Sequence, residues 1–146
     1  MSTNRPVPSA DPGNAVIEEA IRAAEEKTSG EIRVFISRHP CADPGRAARQ
    51  EFVRLEMFRT PLRNGVLLYF APESRAFALA SDEAIQFRCG PEFEAAVTAA
   101  AVARLKGGNL TEALVEAIRS AGDLLAHQFP RHSLDRNDLP NAVIRD

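Results

Sequence analysis

The chain has 146 residues, 45% of them hydrophobic and 26% charged. That suits one soluble globular domain on the usual scale of roughly 100 to 200 residues, and excludes a disordered, collagen-like or membrane-bundle protein. With 18 basic residues against 20 acidic ones, no Trp and one Tyr, neither the positive footprint nor the stacking surface of a nucleic-acid binder is present, and no nucleic-acid partner is expected.

Residues 1–13 are polar, with no apolar segment of a signal peptide, and read as an N-terminal tail. Val16, Ile17, Ala20, Ile21 and Ala24 then form one helical stripe opposite Glu18, Glu19, Arg22, Glu25 and Glu26, and Gly30 follows as a stop; this predicts a helix over 14–28. The string Glu31-Ile-Arg-Val-Phe-Ile-Ser37 has the β-branched and aromatic content of an interior strand. Asp43-Pro44 is a helix start, an acceptor for the first amides followed by a residue with no N–H to satisfy. The helix it opens is expected to reach Phe58 with Ala48, Phe52, Leu55 and Phe58 inward, and to stop before Pro61.

Val66–Ala71 is continuously apolar, the pattern of a strand covered on both faces, and Ala76–Ala80 repeats it more weakly. The linker Pro72–Arg75 is too short for a crossover, so these two strands form an antiparallel hairpin, whereas Arg38–Asn64 is long enough for a right-handed parallel crossover. Pro91 opens a further helix that Gly107-Gly108 stops, and Asn109 with Glu112 resembles a capping box for the next one. Residues 130–146 read as a C-terminal tail, which leaves one domain over 14–129. No window approaches the ~18 apolar residues of a membrane span, so no direct membrane insertion is expected. Together these elements predict a layered α/β sandwich: a short mixed β-sheet with helices on both faces.

Several strings, taken in order, resemble one family. They are Thr28-Ser29-Gly30-Glu31, Arg63-Asn64-Gly65-Val66-Leu67-Leu68, Ser74-Arg75, Asp82-Glu83 and Lys106-Gly107-Gly108-Asn109-Leu110-Thr111-Glu112-Ala113-Leu114. The family is the TPM domain, named for a thylakoid acid phosphatase, a photosystem II repair protein and a modulator of acetylcholine receptors, and the resemblance covers about residues 15–127. It implies an α/β sandwich and, for some members, acid phosphatase activity or calcium binding. Where many members have a Gly-aromatic-Gly segment after the third strand, this chain has Ala80-Ser81-Asp82-Glu83. The signal peptide, transmembrane helix and Gly-rich tail of longer members are not expected here. The chain resembles the short bacterial branch, including Asp135-Arg136-Asn137-Asp138-Leu139-Pro140-Asn141, and the resemblance implies action beside membrane proteins.

Hydrolysis of a phosphate monoester needs charge stabilisation by Arg or a metal, with a nucleophile or an activated water. The hairpin brings Asn64, Arg63, Asp82 and Glu83 to one end of the sheet and leaves Arg75 at the other. Asp82, Glu83 and Asn64 are oxygen ligands suited to Ca2+ or Mg2+, and Arg63 is the candidate anion contact. The competing reading has Asp82 capping a short helix that starts at Ala84.

His39 reads as an idle loop residue, since zinc needs four ligands and no other His lies near it in sequence. Cys89, just before a predicted helix start, reads as a small buried residue or as a thiol activated by the helix dipole. Cys41 and Cys89 fit no disulfide framework and point to a cytoplasmic location.

No nucleophile–base pair can be assembled. The reading taken is therefore a non-catalytic protein-interaction or regulatory module with a divalent-cation option, its partner contacts assigned to Asp135, Arg136, Asn137, Asp138, Leu139 and Pro140. Docking of that segment on its own domain is the competing reading, and an acid phosphatase of the TPM type is the alternative function.

Overall fold

In the computed structural model, which describes residues 13–131 and 143–146, the chain folds as α1 (Asn14–Glu25), β1 (Glu31–Ile36), α2 (Pro44–Arg54), β2 (Gly65–Ala71), a 3-10 turn (Pro72–Ser74), β3 (Ala76–Ser81), α3 (Glu83–Cys89), α4 (Pro91–Leu105), α5 (Leu110–Gln128) and β4 (Val143–Arg145). The four strands form one sheet in the order β3-β2-β1-β4. β1 runs parallel to β2 and β4, and β2 runs antiparallel to β3. The sheet is mixed and helices cover both faces, as the alternation of elements predicts. Among the described residues, no helix is long and apolar enough to cross a membrane.

Alternation along the strands divides the core into two layers. Ile32, Val34 and Ile36 of β1 and Val66, Leu68 and Phe70 of β2 pack with Ile17 and Ile21 of α1, Ile85 of α3, Phe93 and Val97 of α4, and Leu114, Ile118 and Leu125 of α5. On the opposite face Phe35, Leu67 and Tyr69 meet Ala48 and Phe52 of α2, with Met57 from the loop that follows. Phe35 and Tyr69 stack across the parallel pair with ring centroids 5.5 Å apart, and the Arg54 guanidinium lies 5.9 Å from the Phe35 ring centre. Such aromatic pairs and cation–π contacts each contribute on the order of 1 kcal/mol beyond their burial.

Two expectations are corrected. α2 ends at Arg54 rather than near Phe58. Glu56 takes a left-handed φ of 56°, and the Met57 amide donates to the Phe52 carbonyl at 3.0 Å. The chain thereby tucks Met57 under the sheet and leaves Phe58 39% exposed. The second concerns the C-terminal region: Val143–Arg145 form β4, in register with Val34–Ile36 of β1, so the last part of the segment read as a tail belongs to the sheet. The physical reason is that β1 needs cover along its outer edge, which Val143 and Ile144 supply.

α1 and α5 approach closely because Gly122 has no side chain. A methyl group there would stand 2.7 Å from Ala24 Cβ and 3.2 Å from Ala24 Cα, inside contact distance to backbone that cannot give way. Replacing Gly122 by Val is therefore expected to push the two helices apart at a cost of roughly 1–3 kcal/mol, as overpacking does. The thermal midpoint should fall while Ala24→Gly in the same chain restores part of it; an unchanged midpoint would show that the helices are free to separate.

Candidate functional site

The loop after α2 and the turn after β3 meet at one end of the sheet. Two backbone bonds join them: the Asp82 amide donates to Gly65 O at 3.0 Å and the Ala84 amide to Arg63 O at 3.2 Å. Arg63 holds a left-handed φ of 52°, an unusual conformation for a residue with a side chain, and its own amide donates to Thr60 O at 3.2 Å. This geometry directs its guanidinium across the turn. Nε donates to Asp82 Oδ2 at 2.8 Å and Nη2 to Oδ1 at 2.9 Å, a two-point grip. Asp82 also caps α3, its Oδ1 accepting from the Glu83 amide at 2.7 Å.

The charges at this corner are unequal in exposure. Asp82 is 5% exposed, while the Arg63 side chain is 44% exposed and Glu83, 3.4 Å from Arg63 Nη1, is 70% exposed. The hydrogen bond to Asp82, reinforced by both carboxylate charges, holds the Arg63 pKa above its ordinary value.

Asn64 is buried but turns elsewhere. Its Nδ2 donates to Ser29 Oγ at 3.3 Å, its amide donates to Thr60 Oγ1 at 3.2 Å, and its carbonyl accepts from Glu31 N at 3.3 Å. It ties the start of β2 to the turn that opens β1.

Of the residues proposed from sequence, the fold thus gathers Arg63, Asp82 and Glu83, with Asn64 adjacent in the chain but committed to Ser29. A cation on Asp82 or an anion on Arg63 would compete with the same ion pair. Among the described residues, no group of three His, Cys, Asp or Glu side chains is placed to hold a metal ion. Arg75 ends the 3-10 turn at the opposite end of the hairpin, as the strand lengths predict. The segment Asp135–Pro140 lies outside the described residues. Cys89 ends α3 and stands just before the start of α4 at Pro91, as expected, but burial pushes its thiol pKa up, the reverse of an activated nucleophile.

A second polar cluster, at the carboxyl ends of β1 and β4, escaped the sequence reading. Asp146 Oδ2 accepts from Ser37 Oγ at 2.5 Å and its Oδ1 from the Arg38 amide at 2.9 Å, with His39 Nε2 4.0 Å away. The phenol of Tyr69 interacts with Ser37 and Cys41, and burial pushes its pKa up. The signal for this cluster was the β-branched pair Val143-Ile144, a strand-forming dipeptide inside a polar segment.

The family profile of the TPM domain matches residues 11–124. The chain belongs to the TPM domain family. The solved NMR structure of the BA42 protein from the psychrophilic bacterium Bizionia argentinensis is similar to it, with a TM-score of 0.84 and 36% identity over 90% of this chain and 91% of that one. No curated protein matches the chain. Within this TPM domain the strings that carried the resemblance lie at contact points of the fold: Ser29 meets Asn64, and Arg63 meets Asp82.

Replacing Asp82 by Ala should remove both the cap and the carboxylate facing Arg63, with a loss of about 1 kcal/mol from the cap alone; Asp82→Asn, which can still cap, should lose less. Urea unfolding of the two variants checks this, and equal midpoints would show that the cap contributes nothing.

The second cluster generates a pH dependence. Burial alone would raise the Asp146 pKa, but the bonds from Ser37 and the Arg38 amide and the charges of His39 and Arg38 outweigh it and hold it below its ordinary value of 3.8. A carboxylate depressed in this way stabilises the folded state above 3.8 and loses that contribution as the pH falls through its lower folded value. Protection of the Val34 and Ile36 amides against hydrogen exchange, corrected for intrinsic rate, should therefore drop in acid, and Asp146→Asn should flatten the profile.

Proposed function

We propose that this TPM domain is a non-catalytic protein-interaction module. The observation that carries the reading is the state of Asp82: both its oxygens are engaged, by Arg63 Nε and Nη2 and by the Glu83 amide. Arg63 is the only arginine that the sequence reading assigned to an anion, so the group that would meet a phosphoryl oxygen is neutralised by the group that would hold a metal. Phosphoryl transfer needs positive charge placed on the oxygens of the transferring group, and here the Arg63 charge is turned onto Asp82 and Glu83, where it holds a turn together. Ca2+ or Mg2+ enters this reading only as a competitor of Arg63 for Asp82.

Two apolar side chains near this corner in the chain are exposed. Leu62, next to Arg63, is 53% exposed, and Phe87, one helical turn beyond Glu83 on α3, is 89% exposed. An exposed aromatic beside a fixed ion pair has the composition of a protein-contact surface, where aromatic side chains and arginine are enriched.

The test has two arms. Hydrolysis of p-nitrophenyl phosphate, measured across acidic and neutral pH with and without millimolar Ca2+ or Mg2+, is expected to stay at the buffer rate. Turnover that disappears in a folded Asp82→Asn variant would overturn the reading in favour of the acid phosphatase. In the second arm a photo-crosslinking side chain at Phe87 should yield one dominant adduct in cells, and the same group at Val53, exposed on α2, should not. A diffuse pattern at both positions would count against an interface at this corner.

A further inference from the structure

We propose that the outer edge of β1 is a strand-docking site filled in cis by β4, and that its ligand in trans is an extended peptide of a partner protein. That peptide carries two consecutive apolar residues and a carboxylate two positions after the second. The proposal rests on the interaction-module reading and gives that reading a partner chemistry.

The edge has defined limits. Amides of β1 that point to β2 are those of Glu31, which donates to Asn64 O, and of Ser37, just past the strand, which donates to Phe70 O. Amides at the alternate positions, Ile32, Val34 and Ile36, therefore face outward. Ile32 N is already taken by Glu25 Oε2 of α1 at 2.7 Å, so a strand can pair only from Val34 onward. β4 occupies that stretch, Val143 opposite Val34, Ile144 opposite Phe35 and Arg145 opposite Ile36, and the Asp146 amide then donates to Ile36 O at 3.4 Å.

The cis strand also shows what the edge selects. Val143 packs against the layer formed with α1 and α5, and Ile144 against the α2 layer. Beyond them the Asp146 carboxylate accepts from Ser37 Oγ and the Arg38 amide. Two neighbouring apolar residues thus go to opposite faces, and the acid docks on a hydroxyl and an amide that β1 presents at its end. The recognition is of the strand-addition kind, main-chain bonds for affinity and alternate side chains for specificity.

β4 is suited to exchange because it is short, and its ties beyond β1 are side-chain bonds such as Arg145 Nε to Asn14 Oδ1 at 2.8 Å. It is a three-residue strand with no fully buried residue, against a usual length of about 5 or 6. Elements with so few apolar contacts open well before the global unfolding of a domain. Once it leaves, the edge of a strand buried along its whole length is an open template for another chain.

The experiment uses the full chain and a fluorescent, acetylated and amidated peptide Ala-Val-Ile-Arg-Asp, matching residues 142–146. Asp146→Ala should loosen the cis strand, so the peptide is expected to bind this variant at least tenfold more tightly than the unmodified chain. Binding should disappear when the peptide's own Asp becomes Ala, and adding peptide should restore exchange protection at the Val34 and Ile36 amides. If Asp146→Ala compromises folding, Ile144→Ser loosens β4 by a separate route with the same expectation. Equal weak binding by all chains, with Val34 and Ile36 protected throughout, would show β4 to be a permanent strand and overturn the proposal. Formation of a dimer by the loosened variants, without peptide binding, would also overturn it, since the occupant would then be a second copy. Neither of these results touches the p-nitrophenyl phosphate assay, so the interaction-module reading stands or falls separately.

Discussion

A strand whose two faces both carry apolar side chains is stable only between two helical layers, and β1 imposes that condition at the centre of this fold. Its six residues are all buried. α1 and α5 close one face and α2 the other, while β2 and β4 take the edges. By alternation β1 sends two long polar side chains, Glu31 and Arg33, toward the face of Phe35, and Arg33 is the cation of the two. It is 9% exposed, its Nη1 rests on Met57 Sδ at 3.7 Å, and its Nε has no hydrogen-bond partner. Burial accordingly pulls its pKa below the ordinary value. A charge so placed is costly, and it marks the position where the α2 layer gives out and the loop around Met57 begins.

The corner at Arg63 and Asp82 follows from the same arrangement. Once β2 is fixed beside β1 and β3 is folded back on it, the start of one strand and the end of the other must meet. Two loops arriving at one place leave amides and carbonyls to satisfy. The bonds from Asp82 N to Gly65 O and from Ala84 N to Arg63 O do this. The ion pair then locks the turn sideways, and Arg63 accepts an unfavourable backbone conformation to make it. In three dimensions Arg63 and Asp82 also fasten two chain segments together.

Much of the fold was legible because its signals are local. Asp43-Pro44 and Asn109 start helices where capping rules place them, with Asp43 and Asn109 accepting from Arg46 N and Glu112 N, and the Pro72–Ser74 turn between β2 and β3 forces the hairpin. The end of α2 was not legible, because Met57 and Phe58 are equally apolar and only the left-handed Glu56 decides which goes inward. β4 was missed for a different reason: three residues carry too little periodicity to register, and their partner lies far away in sequence. At the candidate site, co-location of Arg63, Asp82 and Glu83 could be read from strand connectivity. That Asp82 would be gripped by Arg63 and Asn64 would turn to Ser29 could not, since side-chain direction there depends on the positive φ of Arg63.

The long-range contacts also set an order for folding. The Ser37–Asp146 bond spans 109 positions and the Thr28–Phe129 bond 101, whereas the β2–β3 hairpin and the helices are built from near neighbours. Closing so large a loop is entropically slow and is compensated only once the rest of the sheet exists to receive it. The outer edge of β1 is thus closed by contacts that span far more of the chain than those of the hairpin beside it. Without β4 seated, that edge carries the unpaired amides and carbonyls that make an open strand a template, so the last few residues of the chain decide whether the sheet ends in a closed edge.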